Sequence, residues 1–139
     1  MNNKPIDCSS IQLLVVDDSL LLRNLVSDLL LKAGFRVFNA ADGQEAWDLL
    51  QKESIDLVVT DISMPRLNGL ELIQRVRTGS NLPFLPIILM SATDVDVNRQ
   101  RGLASGANAF IIKERRDLES LARTIIQILQ TEKHGKPDT

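Results

Sequence analysis

Asp17 and Asp18 close one short apolar run, Ile11 to Val16, and Asp61 closes another, Ile55 to Thr60. Runs of this kind read as parallel strands buried on both faces. If the two lie side by side, three carboxylates meet at the carboxyl edge of one sheet, where open α/β sheets bind their ligands. Like charges so close repel one another unless a cation sits among them, and hard carboxylate oxygens suit Mg2+. Ser91 and Lys113 end two later runs and add a hydroxyl and an ammonium. Together the five residues suit a phosphoryl group.

The elements that must position these groups follow from periodicity. Ser19 offers an N-cap, and Leu21, Leu22, Leu25, Val26, Leu29 and Leu30 recur at helical spacing before Gly34 stops the helix. Phe35 to Ala40 reads as a second strand. Asp42 can cap a second helix with Ala46, Trp47, Leu49 and Leu50 inward, and Trp47 reads as core. After Asp61 comes a turn from Met64 to Gly69, then a helix carrying Leu70, Leu72, Ile73 and Val76. Pro86 to Met90 and Asn108 to Ile112 read as the last two strands. Between them, Asp94 to Ser105 reads as a weak helix ended by Gly106, with Gly102 inside it at a cost of about 1 kcal/mol relative to alanine. Leu118, Leu121, Ile125, Ile126 and Leu129 line a final helix, and Thr131 to Thr139 reads as a frayed polar tail.

Strict β/α alternation argues for a five-stranded parallel sheet with helices on both faces. Alternation alone leaves strand order open. The carboxylates choose it, because the first strand must adjoin the third for Asp17, Asp18 and Asp61 to meet. That favours a flavodoxin-like, doubly wound sheet of order 2-1-3-4-5, with the site where the winding reverses.

Composition narrows the function classes. The chain has 139 residues, 44% hydrophobic and 24% charged, with net charge −2, so no general field draws it to nucleic acid or an anionic membrane. A domain of this length buries roughly 68% of its unfolded surface. With Cys8 and His134 each the sole residue of its type, an internal disulfide and a Cys/His metal cage are excluded, and both residues read as uninvolved. No run is apolar enough to span a membrane, and the first residues lack a signal-peptide core, so the cytoplasm follows by default.

These residues resemble a response-regulator receiver domain, the CheY-like phospho-acceptor of two-component signalling and phosphorelays. Asp17-Asp18-Ser19 with Arg23 resembles its acidic pair and first helix. The strand Asp56 to Asp61, then Met64-Pro65 and Gly69, resembles its acceptor strand and loop. Ser91-Ala92 and Phe110-Ile111-Ile112-Lys113 resemble its hydroxyl pair and its last strand. Spacings of 30 residues from Asp61 to Ser91 and 22 from Ser91 to Lys113 agree. The resemblance implies a receiver domain over 11–130, with an N-terminal extension over 1–10 and a polar tail over 131–139.

The resemblance implies that Asp61 accepts a phosphoryl group from phosphohistidine on a histidine kinase or histidine phosphotransfer protein. Asp17, Asp18, Asp61 and the Ser63 carbonyl would hold Mg2+, with Mn2+ as the alternative ion. Ser91, Ala92 and Lys113 would bind the phosphate, with backbone N–H groups around Ile62 and Ala92 as further donors. Ser91 and Phe110 would switch an output face built from the fourth helix, fifth strand and fifth helix. Ser63 and Thr93 would tune dephosphorylation. Such a module catalyses only its own phosphorylation and dephosphorylation.

Two departures stand out. Glu114 follows Lys113 where most members carry proline after a cis bond, and a non-proline cis bond costs roughly 2.5–4 kcal/mol, which leaves that loop's geometry open. Phe110 replaces the commoner tyrosine and its hydroxyl.

Singly, each residue has a plainer reading: aspartates after strands cap helices and start turns, and Lys113 and Ser91 are ordinary surface and strand-end residues. Phe110 divides evenly between core and switch. Five motifs in order outweigh these. Arg115, Arg116 and Arg123 lie among Glu114, Asp117 and Glu119, so a solvated mixed face is expected rather than a nucleic-acid patch. Leu20 and Leu31 widen the first helix's stripe; a partner or homodimer contact and stray exposed leucines both fit, the latter more simply.

A phosphorylation-independent docking module is the alternative function. An aspartyl phosphatase of the haloacid dehalogenase kind would need aspartate where Ser63 stands. The Met1 start and short tail favour a stand-alone unit or an N-terminal receiver.

Overall fold

The computed structural model describes residues 7–64, 66–92 and 96–135, the side chains of 96–98 and 132–135 excepted. Five strands alternate with helices: β1 (Gln12–Val16), α1 (Leu20–Lys32), β2 (Arg36–Ala40), α2 (Gly43–Lys52), β3 (Leu57–Asp61), α3 (Gly69–Gly79), β4 (Ile87–Ser91), α4 (Asp96–Ala104), β5 (Ala109–Ile112), α5 (Arg115–Glu119) and α6 (Leu121–Gly135). All strand pairs are parallel, in the order β2-β1-β3-β4-β5. The expected winding and strand order are both present.

Alternate residues of each strand feed opposite faces. Leu14, Val16, Val58, Ile87 and Leu89 pack with Leu50 of α2 and Leu72, Ile73 and Val76 of α3. Leu13, Val15, Leu57, Val59, Ile88 and Met90 pack with Val26 and Leu30 of α1, Leu118 of α5, and Leu121 and Ile125 of α6. Strands β3 and β4 are buried along their whole length, which is why their sequences are continuous apolar runs.

The expected caps form. Ser19 Oγ accepts from Leu22 N–H at 3.3 Å, and Asp42 Oδ1 accepts from Glu45 N–H at 2.8 Å. Asn68 and Glu71 make a reciprocal capping box at the start of α3. Gly34 and Gly106 take φ of +102° and +108°, the left-handed turns that end α1 and α4.

Several expectations are corrected. The proposed stripe of α1 is not buried as a whole: Val26 and Leu30 are, whereas Leu21 is 79% and Leu25 44% exposed, alongside Leu20 and Leu31. Leucine lies around more than half of this helix, and a helix on a sheet buries about one side of its circumference. Ser27 occupies the buried side instead, its hydroxyl donating to Asn39 Oδ1 at 2.5 Å. Gly102 is more than a weakness in α4. A Cβ there would stand 2.5 Å from Leu89 Cδ1 and 3.6 Å from Phe110 Cδ2, so its absence lets the helix approach the sheet.

The final helix is two segments broken at Ser120, whose hydroxyl donates to Asp117 O at 3.1 Å. Its second segment reaches Gly135, five residues into the stretch expected to fray, because Glu132 and Lys133 are good helix formers. Cys8 lies in a short 3-10 turn (Cys8–Ser10) and packs against the α1/α6 layer. Strands β2, β4 and β5 each begin one residue later than the apolar runs suggest.

Candidate functional site

The sheet register brings the acidic groups together. Val16 pairs with Thr60, so Asp17 and Asp61 stand side by side at adjoining strand tips. Asp61 pairs with Met90 and Ser91 with Ile112, which sets Ser91 and Lys113 along the same edge. Asp17 is fully buried, Asp61 and Ser91 nearly so, and Asp18 is exposed at the rim. Oxygens of Asp17, Asp18 and Asp61 lie within 4.8 Å of one another.

Lys113 Nζ bridges two of them, 2.8 Å from Asp17 Oδ2 and 3.1 Å from Asp61 Oδ2. Asp17 Oδ2 is completely buried and has no directed hydrogen bond, so the ammonium meets it as a charge. Its other oxygen accepts from Ser19 N–H at 2.9 Å, and Arg23 donates to the Asp17 carbonyl at 2.8 Å.

Burial raises the pKa of Asp61; the Lys113 ammonium opposes the shift and the neighbouring Asp17 carboxylate adds to it. Burial also disfavours the Lys113 ammonium, but Asp17 and Asp61 outweigh burial and hold its pKa above the usual value. Both partners of one ion pair therefore move upward. The cause is arithmetic of charge: one ammonium serves more than one buried carboxylate, so the carboxylate gains less than the cation.

A stability effect follows from Asp61. A carboxyl whose pKa is raised by folding binds its proton more tightly in the native state, so stability falls as pH rises through that pKa and the penalty is complete at neutral pH. Asp61→Asn removes the penalty. In metal-free buffer at pH 7 the variant is expected to unfold at a higher urea concentration than the native chain, with the gap closing below about pH 3.9, where both states of the native chain carry the proton. A variant less stable at pH 7 would contradict this assignment.

The donor set fits a small divalent cation. The oxygen spread of 4.8 Å is near the roughly 4 Å across an octahedral Mg2+ ion with bonds of about 2.1 Å. Asp17 Oδ2 is a buried oxygen with a lone pair to give.

The other expected positions are distributed as follows. Ser63 is exposed beyond β3, its N–H 3.5 Å from Asp61 Oδ1. Ala92 is exposed after β4. Thr93, with Pro65, lies outside the described residues. Phe110 is packed inward beneath α4, with the Arg99 guanidinium 4.8 Å from its ring centroid. One expectation fails: Ile62 N–H is not a free donor, because it bonds Met90 O at 2.9 Å and continues the β3–β4 ladder. No peptide bond among the described residues is cis, so the bond between Lys113 and Glu114 is trans, as a non-proline residue requires.

Sequence reasoning missed three tertiary supports, two of them at this edge. Asp117 Oδ2 accepts from Ile112 N–H at 2.8 Å and so closes the end of β5 rather than joining a purely solvated face. Arg77 donates to the carbonyls of Pro83, Leu85 and Gly106, tying together the loops at the opposite edge. Arg66, in the loop between β3 and α3, has φ +66° and makes a two-pronged hydrogen bond to Asp42, each prong 2.9 Å. A left-handed conformation costs a non-glycine residue roughly 1–2 kcal/mol. The ion pair with Asp42 is exposed on the Arg66 side and offsets that cost only in part. The pair lowers the Asp42 pKa and raises that of Arg66, chiefly through these hydrogen bonds. No single residue type signals any of the three, since each depends on how the chain turns between the partners.

Among the described residues no helix is long and apolar enough to cross a membrane. The model of the response regulator receiver domain matches residues 13–126. A chemotaxis protein CheY homolog of Campylobacter jejuni is 38% identical over 104 residues, 73% of this chain and 80% of that protein. A gliding motility regulatory protein of Myxococcus xanthus is 34% identical over 115 residues, 83% of this chain, which spans only 15% of that protein's length. The structure of the Vibrio cholerae chemotaxis protein CheY4 is similar with a TM-score of 0.78 and 35% identity, over 85% of this chain and 98% of that one. Strand order, buried acidic pocket and sequence similarity agree, and the chain belongs to the response regulator receiver domain family.

Proposed function

We propose that this receiver, spanning about residues 11–130, accepts a phosphoryl group on Asp61 from phosphohistidine of a histidine kinase or histidine phosphotransfer protein in the cytoplasm. The observation that carries the reading is the buried Lys113 ammonium, 2.8 Å from Asp17 and 3.1 Å from Asp61, in a cluster whose Asp17, Asp18 and Asp61 oxygens lie within 4.8 Å of one another. An Asp61 oxygen would attack phosphorus in line with the donor imidazole. The new oxygen–phosphorus bond forms as the nitrogen–phosphorus bond breaks, and the electron pair stays with the imidazole. Asp17, Asp18, Asp61 and the Ser63 carbonyl would hold Mg2+, whose charge neutralises that gathering on the phosphoryl oxygens. Lys113 would follow one of those oxygens as a point charge, and the Ser91 hydroxyl would donate to another. Ser63 and Thr93, both small and neutral by residue type, would tune dephosphorylation by water.

The acyl phosphate adds close to two negative charges at the sheet edge. Ser91 and Phe110 would carry that change to the face formed by α4, β5 and the final helix, α5 with α6, where an output protein binds. A phosphorylated donor approaching Asp61 would meet the exposed Leu20 and Leu21, in the first turn after Asp17-Asp18, at the rim.

The test is incubation with acetyl phosphate and Mg2+ followed by intact mass. The native chain is expected to gain one phosphoryl group, and to gain none in EDTA or as Asp61→Asn. A native chain that stays unmodified in Mg2+ would favour a docking module independent of phosphate.

A further inference from the structure

The two loops flanking the tip of β1, at the carboxyl edge of the sheet, are joined to each other. On one side, Asp42 ends the link from β2 and caps α2; on the other, Arg66 stands in the loop that runs from Asp61 to α3. Arg66 Nε and Nη2 each donate to one Asp42 oxygen at 2.9 Å. Behind this fork the loops touch directly: Gly43 lies against the Leu67 carbonyl so closely that a Cβ would overlap it. The Arg66 loop is closed at its base by Gly69 N–H donating to Ile62 O at 3.1 Å. Ser63 lies within that closure, its N–H toward Asp61 Oδ1. Arg66 holds a left-handed φ that its side chain does not favour, so the fork is what opposes relaxation of the loop.

We propose that Arg66 is a positioning residue for the cation site, acting through Asp42 to hold the loop that presents Ser63 beside Asp61. The proposal rests on the reading of this edge as a Mg2+-dependent phospho-acceptor, and its consequence is specific. Loosening the fork from either end lets the same loop relax, so both ends matter equally to the cation. Simple electrostatics predicts something else: removing the Arg66 charge would favour a nearby cation, and removing the Asp42 charge would disfavour it.

The experiment compares the native chain with Arg66→Ala, Asp42→Asn and the double variant. Asparagine at 42 keeps the α2 cap while removing the charge that binds the fork. Mg2+ affinity is measured by titration calorimetry, and amide exchange of Gly69 by NMR without metal. The expected result is that each single variant binds Mg2+ about fivefold more weakly, equivalent to about 1 kcal/mol. The double variant should be no weaker than either, and Gly69 exchange should accelerate in all three. Opposite effects of the two single variants on Mg2+, additive losses, or unchanged Gly69 exchange would overturn the latch. If the native chain binds no Mg2+, the cation reading fails, and the latch then stands or falls on Gly69 exchange alone.

Discussion

Lys113→Met is expected to destabilise the protein by roughly 3–5 kcal/mol in metal-free buffer at neutral pH, the scale for removing one partner of a buried ion pair. Methionine matches the length of the lysine stem, so packing changes little and the lost charge dominates. Asp17, with no solvent exposure, and Asp61, 6% exposed, are left without the ammonium that faces both. Two features identify the cause. Lowering the pH should recover stability, because Asp61 already resists ionisation through burial and takes up a proton first. Saturating Mg2+ should recover part of it at pH 7, since a cation among the carboxylates replaces the missing charge. The sign for the native chain is consistent: the folded pKa of Lys113 is raised, so its contribution is complete below about pH 10.4 and is lost as pH climbs through the raised value. Urea titrations of both chains at several pH values measure all of this. A loss under about 1 kcal/mol would mean that the ammonium is not what holds the carboxylates together.

Gly69→Ala is the second large effect. Gly69 begins α3 where the chain folds back over the end of β3. An added Cβ would overlap the Asp61 carbonyl and stand 3.0 Å from Ile62 Cα and 3.1 Å from Leu89 Cδ2. Two of these neighbours are backbone and cannot rotate away, so α3 or the strand tip must move. Overpacking of this kind costs typically 1–3 kcal/mol, and the upper end is expected here. The movement falls on Asp61 itself, so labelling by acetyl phosphate should slow more than stability alone accounts for. Urea titration and the initial rate of mass gain measure the two parts. A variant with native stability and native rate would show that the close approach at Asp61 is not required.

The parts of this fold that were legible in the sequence are those that rest on local pattern. Apolar runs ending in Asp17, Asp61 and Ser91 are legible because the central strands β1, β3 and β4 are buried on both faces and their tips are polar, and the run before Lys113 because Phe110 and Ile111 are buried even on the edge strand β5. Ser19, Asp42, Gly34 and Gly106 are legible because a helix end leaves unpaired N–H and C=O groups that a few residue types satisfy. Where burial depends on a neighbour, pattern misleads. The leucines of α1 exceed what one sheet face can cover, so Leu21 and Leu25 remain outside while Ser27 goes in against Asn39. Gly102 reads as a helix defect until Leu89 and Phe110 are seen beneath it.

The same division applies to the site. Residue types and spacing gave the acidic set and its lysine, because each sits at a strand end fixed by register. The hydrogen-bond state of Ile62 N–H was not legible, since it depends on β3 extending one ladder step past Asp61 toward Met90. Arg66 and Asp42, 24 residues apart on two loops, pair only because β1 lies between β2 and β3. The left-handed backbone of Arg66 leaves no sign in its residue type.

The central claim is that Asp61, and neither of its acidic neighbours, becomes esterified. Borohydride reduces an acyl phosphate to the alcohol, so an aspartyl phosphate is read out as homoserine in a peptide mass spectrum. After treatment with acetyl phosphate and Mg2+ and then with borohydride, the account predicts homoserine at position 61, with Asp17 and Asp18 intact. Homoserine at position 17 or 18, or stable phosphate on His134 with Asp61 unchanged, would contradict it.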